Sequence, residues 1–225
     1  YAMDLRGHGE SDTSFASYTP EGIGDDIVAL LEAEDLRDVV LMGNSIGGAS
    51  IIHAALSSDR VARLVHINPF VRDMPVERWF RPMVPLMFGG FWGTWMWGKY
   101  RSSLFKTLPA DQEANRAAVA ANLAEPGRMK AVRGMLRATK AGVAARIDQL
   151  KVPSLVLMGS DDPDYDDPAA EGRTLTELLP GDVELAMIDG TGHYPQIERP
   201  EQTLRLVLAH LQPHRSQGDD ARRGA

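Results

Sequence analysis

Apolar and polar positions along this chain follow two alternating periods. Short aliphatic runs at 39–42, 61–67, 152–158 and 183–188 are rich in β-branched residues and predict buried strands. Between them the apolar spacing becomes helical. Ile23, Ile27, Leu30 and Leu31 form one face after Thr19-Pro20, with threonine placed to cap and proline in the first turn. Asp25, Asp26, Glu32 and Glu34 read as the solvated side of that helix. Further helices are expected over 49–56, 169–179 and 200–211, the last with Leu204, Leu208 and Leu211 on one face. Tyr1-Ala2-Met3 reads as another short strand, leading into a glycine-rich, charged loop at 4–11.

Strand alternating with helix predicts parallel βαβ units, and open parallel sheets place their sites beyond the carboxyl ends of the strands. Asp4, Ser45 and Asn68 fall at such ends. From 70 to about 147 the alternation stops. All four tryptophans and nine of the fifteen aromatic residues lie between Trp79 and Phe105, followed by an Ala-, Arg- and Met-rich stretch broken at Pro126-Gly127. The segment reads as a helical insertion over the site, with its aromatics, Trp92 and Trp95 among them, forming an apolar pocket wall. It is too short in any one apolar run to span a bilayer, and an interfacial role is the lesser reading. The polar tail at 213–225 is expected to be disordered.

Composition narrows the function classes. A net charge of −7 without a basic stripe argues against nucleic-acid binding. The absence of cysteine excludes disulfides, thiolate nucleophiles and Cys-ligated metals, and fits a cytoplasmic location. The chain opens without a leader sequence and reads as one whose beginning has been lost. Gly7 and Gly9 make only a lone G-x-G, so a phosphate cradle is not expected. Asp162, Asp164 and Asp166 alternate as in a calcium loop, but Asp167 stands where glycine is required and Arg173 where a bidentate glutamate is required. Neither a metal nor another cofactor is expected.

The chemistry centres on Gly43-Asn44-Ser45-Ile46-Gly47-Gly48, a serine at the junction of the 39–42 strand and the following helix. Such a turn lifts the hydroxyl clear of the sheet, and glycines two residues either side leave room for strand and helix to approach. The free N–H groups of the helix start, Ile46 first, face the position where an oxyanion would form. Serine needs a base, and His193 is the best of six histidines, set in Gly190-Thr191-Gly192-His193-Tyr194-Pro195 after a strand. His53 and His66, inside a helix and a strand, read as packed groups. The orienting carboxylate is one of Asp161, Asp162 and Asp164, with Asp162 preferred.

These segments together resemble the α/β-hydrolase superfamily over essentially the whole chain. DLRGHGES (4–11) is similar to the loop after the family's fourth strand, GNSIGG (43–48) to its nucleophile elbow, GSDDP (159–163) to its acid turn and GHYP (192–195) to its histidine loop. The resemblance implies Ser45 as nucleophile, Asp162 as acid, His193 as base and the Ile46 N–H as an oxyanion donor, with Asn44 beside it in the substrate site. It implies a core over 1–69 and 148–212 with a helical cap at 70–147. It also implies first strands ahead of Tyr1 that carry a second oxyanion donor, so that the strand around Met3 lacks its neighbour. The expected activity is that of a carboxylesterase-like serine hydrolase, working through an acyl-enzyme on a small or medium apolar ester. Hydrolysis of C–C bonds in ring-cleavage diketo acids, cofactor-free haloperoxidase or perhydrolase chemistry, and ligand binding without catalysis are the alternatives. The partner is a small-molecule substrate; oligomeric state is not readable.

Overall fold

A computed structural model describes residues 1–212; the tail expected to be disordered lies outside the described residues. Four strands, β1 (Val39–Asn44), β2 (Val61–Ile67), β3 (Ser154–Gly159) and β4 (Val183–Ile188), form one parallel sheet in the order β1-β2-β3-β4. Register aligns their carboxyl ends: Asn44 lies opposite Ile67, Ile67 opposite Leu157, and Gly159 opposite Ile188. The residues that follow these ends therefore share one edge of the molecule.

Strand side chains alternate between two apolar layers, as the pleat requires. Leu64, Val156 and Met158 join α1 (Pro20–Ala33) and α2 (Ile46–Ser57) in the larger layer, with Ile23, Ile27, Leu31, Ile51 and Ile52. Val65, Ile67, Leu155, Leu157 and Ile188 face the other way and meet Val207. Between β2 and β3 run α3 (Glu77–Met87), α4 (Gly93–Ser103), α5 (Gln112–Leu123), α6 (Arg128–Leu136) and α7 (Ala141–Ala144), then a 3₁₀ turn at Ile147–Gln149. After β3 come α8 (Pro168–Leu178), then β4, α9 (Pro195–Glu198) and α10 (Pro200–Leu211). The break between α5 and α6 falls where expected, with Gly127 at φ 87°.

Polar bonds hold the helical segment together and fasten it to the core. Arg81 reaches Asp73 and Glu77, each at 2.5 Å, and the Lys140 ammonium also donates to Glu77. From α5 and the start of α6, the Asn122 amide donates to the Gly9 carbonyl at 2.9 Å and Arg128 donates to the Ser11 carbonyl. Gly7 sits at φ 84°, and a Cβ there would lie 2.5 Å from the Ala131 side chain. Gly7 thus allows the loop to approach α6 closely.

Three expectations need correction. Residues 1–5 are not a strand: with no ladder partner, their backbone groups have nothing to pair with in a sheet. The buried face of α10 is Thr203, Val207 and His210, while Leu204 and Leu208 are exposed, because the layer on the sheet receives Val207. The acidic side of α1 is not simply solvated. Asp26 pairs with Arg6 at 2.7 Å, and Asp25 bonds the ring of His53 at 2.9 Å.

Candidate active site

Ser45 stands between β1 and α2 with φ 57° and ψ −125°, a conformation that costs a non-glycine residue strain and is retained where the surroundings enforce it. Its hydroxyl makes no capping bond to the helix it precedes. The glycines around it differ in what they do. A Cβ on Gly43 would lie 2.4 Å from the Gly47 carbonyl oxygen, and one on Gly48 would lie 2.3 Å from Pro69 Cβ. A Cβ on Gly47 would meet nothing within 4 Å. The close approach that the motif requires is therefore made at Gly43 and Gly48, and the expectation for Gly47 is not met.

His193 is 2 % exposed. Its Nδ1 lies 2.7 Å from Asp162 Oδ2, and since a carboxylate only accepts, the imidazole donates there and presents Nε2 as an acceptor. Asp162 is itself fixed by the Asp164 N–H, which donates to Oδ1 at 3.0 Å. The three acidic candidates have separated. Asp161 faces solvent in a 2.7 Å pair with Lys106, whereas Asp164 lies 3.6 Å from the same Nδ1 and accepts from the Tyr100 hydroxyl at 3.1 and 3.2 Å. Burial raises the Asp164 carboxyl above its ordinary range and pushes Tyr194 up to about 12. Ligand atoms of Asp162, Asp164 and His193 lie within 4.8 Å of one another, the spacing a cation would need. The short bond between Asp162 and His193 already uses the imidazole nitrogen nearest that space.

Two bridges join the serine turn to the histidine loop. The Asn44 amide donates to the Ile67 carbonyl at 2.9 Å and to the His193 carbonyl at 3.1 Å. The Phe70 N–H donates to the Ser45 carbonyl at 3.0 Å, and the Phe70 ring stacks on His193 with centroids 5.6 Å apart. Both Asn44 donors are spent on the backbone, so its amide holds loops together and is not free to bind an oxyanion. Ile46 is different: its N–H belongs to the first turn of α2, where no intrahelical acceptor exists.

Some residues that hold the site carried no role in the sequence reading. Asn68, buried at φ 40°, donates to the Gly192 carbonyl at 3.0 Å and accepts from the Gly159 N–H at 2.9 Å, tying the acid turn to the histidine loop. Its place after β2 was the available signal. From the helical segment, the Leu104 carbonyl accepts the His193 N–H at 2.8 Å, and a Cβ on Gly192 would lie 2.2 Å from that same oxygen. Trp92 and Trp95, expected in a pocket wall, are 39 % and 61 % exposed. The rings against His193 are those of Phe70 and Tyr194 instead.

The chain is similar to several known proteins. A 69-residue stretch is 38 % identical to a non-heme chloroperoxidase of Streptomyces lividans, covering 30 % of this chain and 25 % of that protein. Over 95 % of its length the chain is 27 % identical to the dihydrolipoyllysine-residue acetyltransferase component of an acetoin cleaving system from Pseudomonas putida, of which it covers 56 %. The chain thus spans about a quarter and about half of these two relatives. Among solved structures, a thermophilic esterase from Thermogutta terrifontis superposes with a TM-score of 0.72 at 24 % identity, over 92 % of this chain and 77 % of that one. The alpha/beta hydrolase family model matches residues 1–206. The chain belongs to the alpha/beta hydrolase family.

Proposed function

We propose that the chain is a serine hydrolase in which Ser45, His193 and Asp162 act as nucleophile, base and acid on a small or medium apolar ester. The observation that carries this reading is the 2.7 Å bond between Asp162 and His193 on a loop bridged to the turn of Ser45. In this mechanism Ser45 Oγ attacks the ester carbonyl carbon while its proton passes to His193 Nε2. The imidazolium that forms is stabilised by Asp162, and the oxyanion is met by the Ile46 N–H. Collapse expels the alcohol, which takes the proton from His193, and leaves an acyl group on Ser45. Water, deprotonated by His193, then releases the acid. Residues 70–147 act as a cap whose Leu104 carbonyl sets the height of the histidine loop. Substrate choice belongs to the cap and pocket rather than to the fold.

Nitrophenyl esters of graded acyl length provide the test. Turnover that falls about 10⁶-fold in kcat in Ser45→Ala supports the reading; turnover equal in the variant contradicts it. The stretch similar to the chloroperoxidase supports a second outcome, perhydrolysis on the same residues without a bound cofactor. Added hydrogen peroxide would then divert the acyl group to a peracid, and Ser45→Ala would abolish that as well.

A further inference from the structure

Helix α3 is apolar on two sides. Val84 and Phe88 are buried inward, while Val76, Trp79, Met83 and Leu86, at spacings of three and four, form a second stripe on the outside. Trp79 is 77 % exposed, and Phe91, in the turn that continues the stripe toward α4, is 96 % exposed. A soluble surface scatters such residues singly; a contiguous set marks a contact. None of them touches the Asp162–His193 pair, and the stripe plays no part in the ester chemistry proposed for Ser45.

Charge identifies what the stripe meets. The chain is acidic overall, yet residues 70–147 hold thirteen Lys and Arg against five Asp and Glu. Three of those five acids are engaged by cations of the same segment: Asp73 and Glu77 by Arg81 and Lys140, and Glu125 by Arg128 at 3.0 Å. Arg78 is exposed next to Trp79, and the Lys99 ammonium lies 5.8 Å from the centre of the Trp95 ring. Outward aromatic and aliphatic side chains with cations between them match a helix lying in a lipid interface. No helix among the described residues is long and apolar enough to cross a membrane. Val76, Met83 and Leu86 offer a polynucleotide neither stacking nor hydrogen bonds. A second copy would oppose one basic segment to another.

We infer that the outer face of α3 and the turn at Phe91 dock on an anionic lipid surface, with the aromatic side chains in the interface and Arg78 and Lys99 on the headgroups. All four tryptophans lie between positions 79 and 97, so intrinsic emission reports on this segment alone. The experiment is flotation of the full chain with phosphatidylcholine–phosphatidylserine vesicles and with pure phosphatidylcholine vesicles, read together with tryptophan emission. Expected are co-flotation and a blue shift with the anionic vesicles, both weakened by salt. Arg78→Glu with Lys99→Glu should lower vesicle affinity by at least about tenfold. Phe91→Ser, which lies on a turn and leaves the tryptophans in place, should also lower it with an unchanged circular-dichroism melt. Failure of the wild-type chain to float overturns the inference. So does equal binding to neutral vesicles, or a concentration-dependent dimer that hides the tryptophans in the absence of lipid.

Discussion

The side-chain amide of Asn44, one residue before Ser45, donates to the backbone carbonyl of His193 at 3.1 Å. The link spans 149 positions of sequence and fixes the histidine loop against the serine turn. Its other hydrogen goes to the Ile67 carbonyl. Asn44→Ala leaves two acceptors without their donor and should lower stability by about 1–3 kcal/mol in chemical denaturation. With the loop loosened, kcat should fall more than KM rises, because the distance between the serine and the imidazole is at stake rather than substrate contact.

The three neighbouring aspartates should behave differently when made neutral. Asp162→Asn removes the partner that fixes the imidazole tautomer and should cost about 10⁴-fold in kcat. Asp161→Asn breaks an exposed pair with Lys106 and should change kcat little. Asp164→Asn should fall between them, since Asp164 lies 3.6 Å from the ring and holds Tyr100 of the helical segment. Steady-state kinetics on the three variants would rank them.

Substitution of the glycines tests the steric account of the turn. Gly43→Ala and Gly48→Ala each force a Cβ against a close neighbour, Gly43 against backbone and Gly48 against the ring of Pro69, and should destabilise by about 1–3 kcal/mol. Gly47→Ala meets open space within a helix and should be neutral or slightly stabilising. Thermal melts of the three variants decide the matter, and a large loss in Gly47→Ala would refute the assignment.

Acid sensitivity should track His66. This side chain is fully buried on β2 beside the Gly48 backbone, and burial lowers its pKa to about 4 from the ordinary 6.5. The unfolded chain binds the proton first as pH falls. Stability from the neutral ring is therefore complete above pH 6.5 and is lost between 6.5 and about 4, by about 3 kcal/mol at most. Denaturation curves across that window should show the slope, and His66→Leu should flatten it.

Much of this architecture is legible in the sequence. The runs 61–67 and 183–188 are strands at those bounds, because short stretches rich in Val, Ile and Leu suit a parallel sheet even where Arg63, His66 and Glu184 interrupt them. The serine turn and the histidine loop are marked by local chemistry, and of the three candidate carboxylates Asp162 is the one 2.7 Å from His193 Nδ1. Patterns that depend on a distant partner are not legible in the same way. Residues 1–3 have strand character but no ladder to join. Leu204 and Leu208 of α10 are exposed, while Val207 meets the sheet with Leu206 and Leu211 packed beside it. Gly47 satisfies the motif's spelling, while the contact with Pro69 is made by Gly48. Aromatic enrichment around Trp92 and Trp95 suggests an inner wall, yet both rings are exposed, because composition and periodicity do not distinguish an inward stripe from an outward one. Asn68 and Tyr100 act across 91 and 64 positions of sequence; the strand end marks the place of Asn68 but not its partners, and no local pattern marks Tyr100.

The central claim is that the Ser45 hydroxyl is activated by the imidazole of His193. It is tested most directly by reacting the folded chain with a fluorophosphonate probe and mapping the adduct by mass spectrometry. The account predicts one phosphonylated residue, Ser45, with labelling lost in His193→Ala although the serine is still present. Labelling at another residue, or labelling of Ser45 at an undiminished rate in His193→Ala, would contradict it.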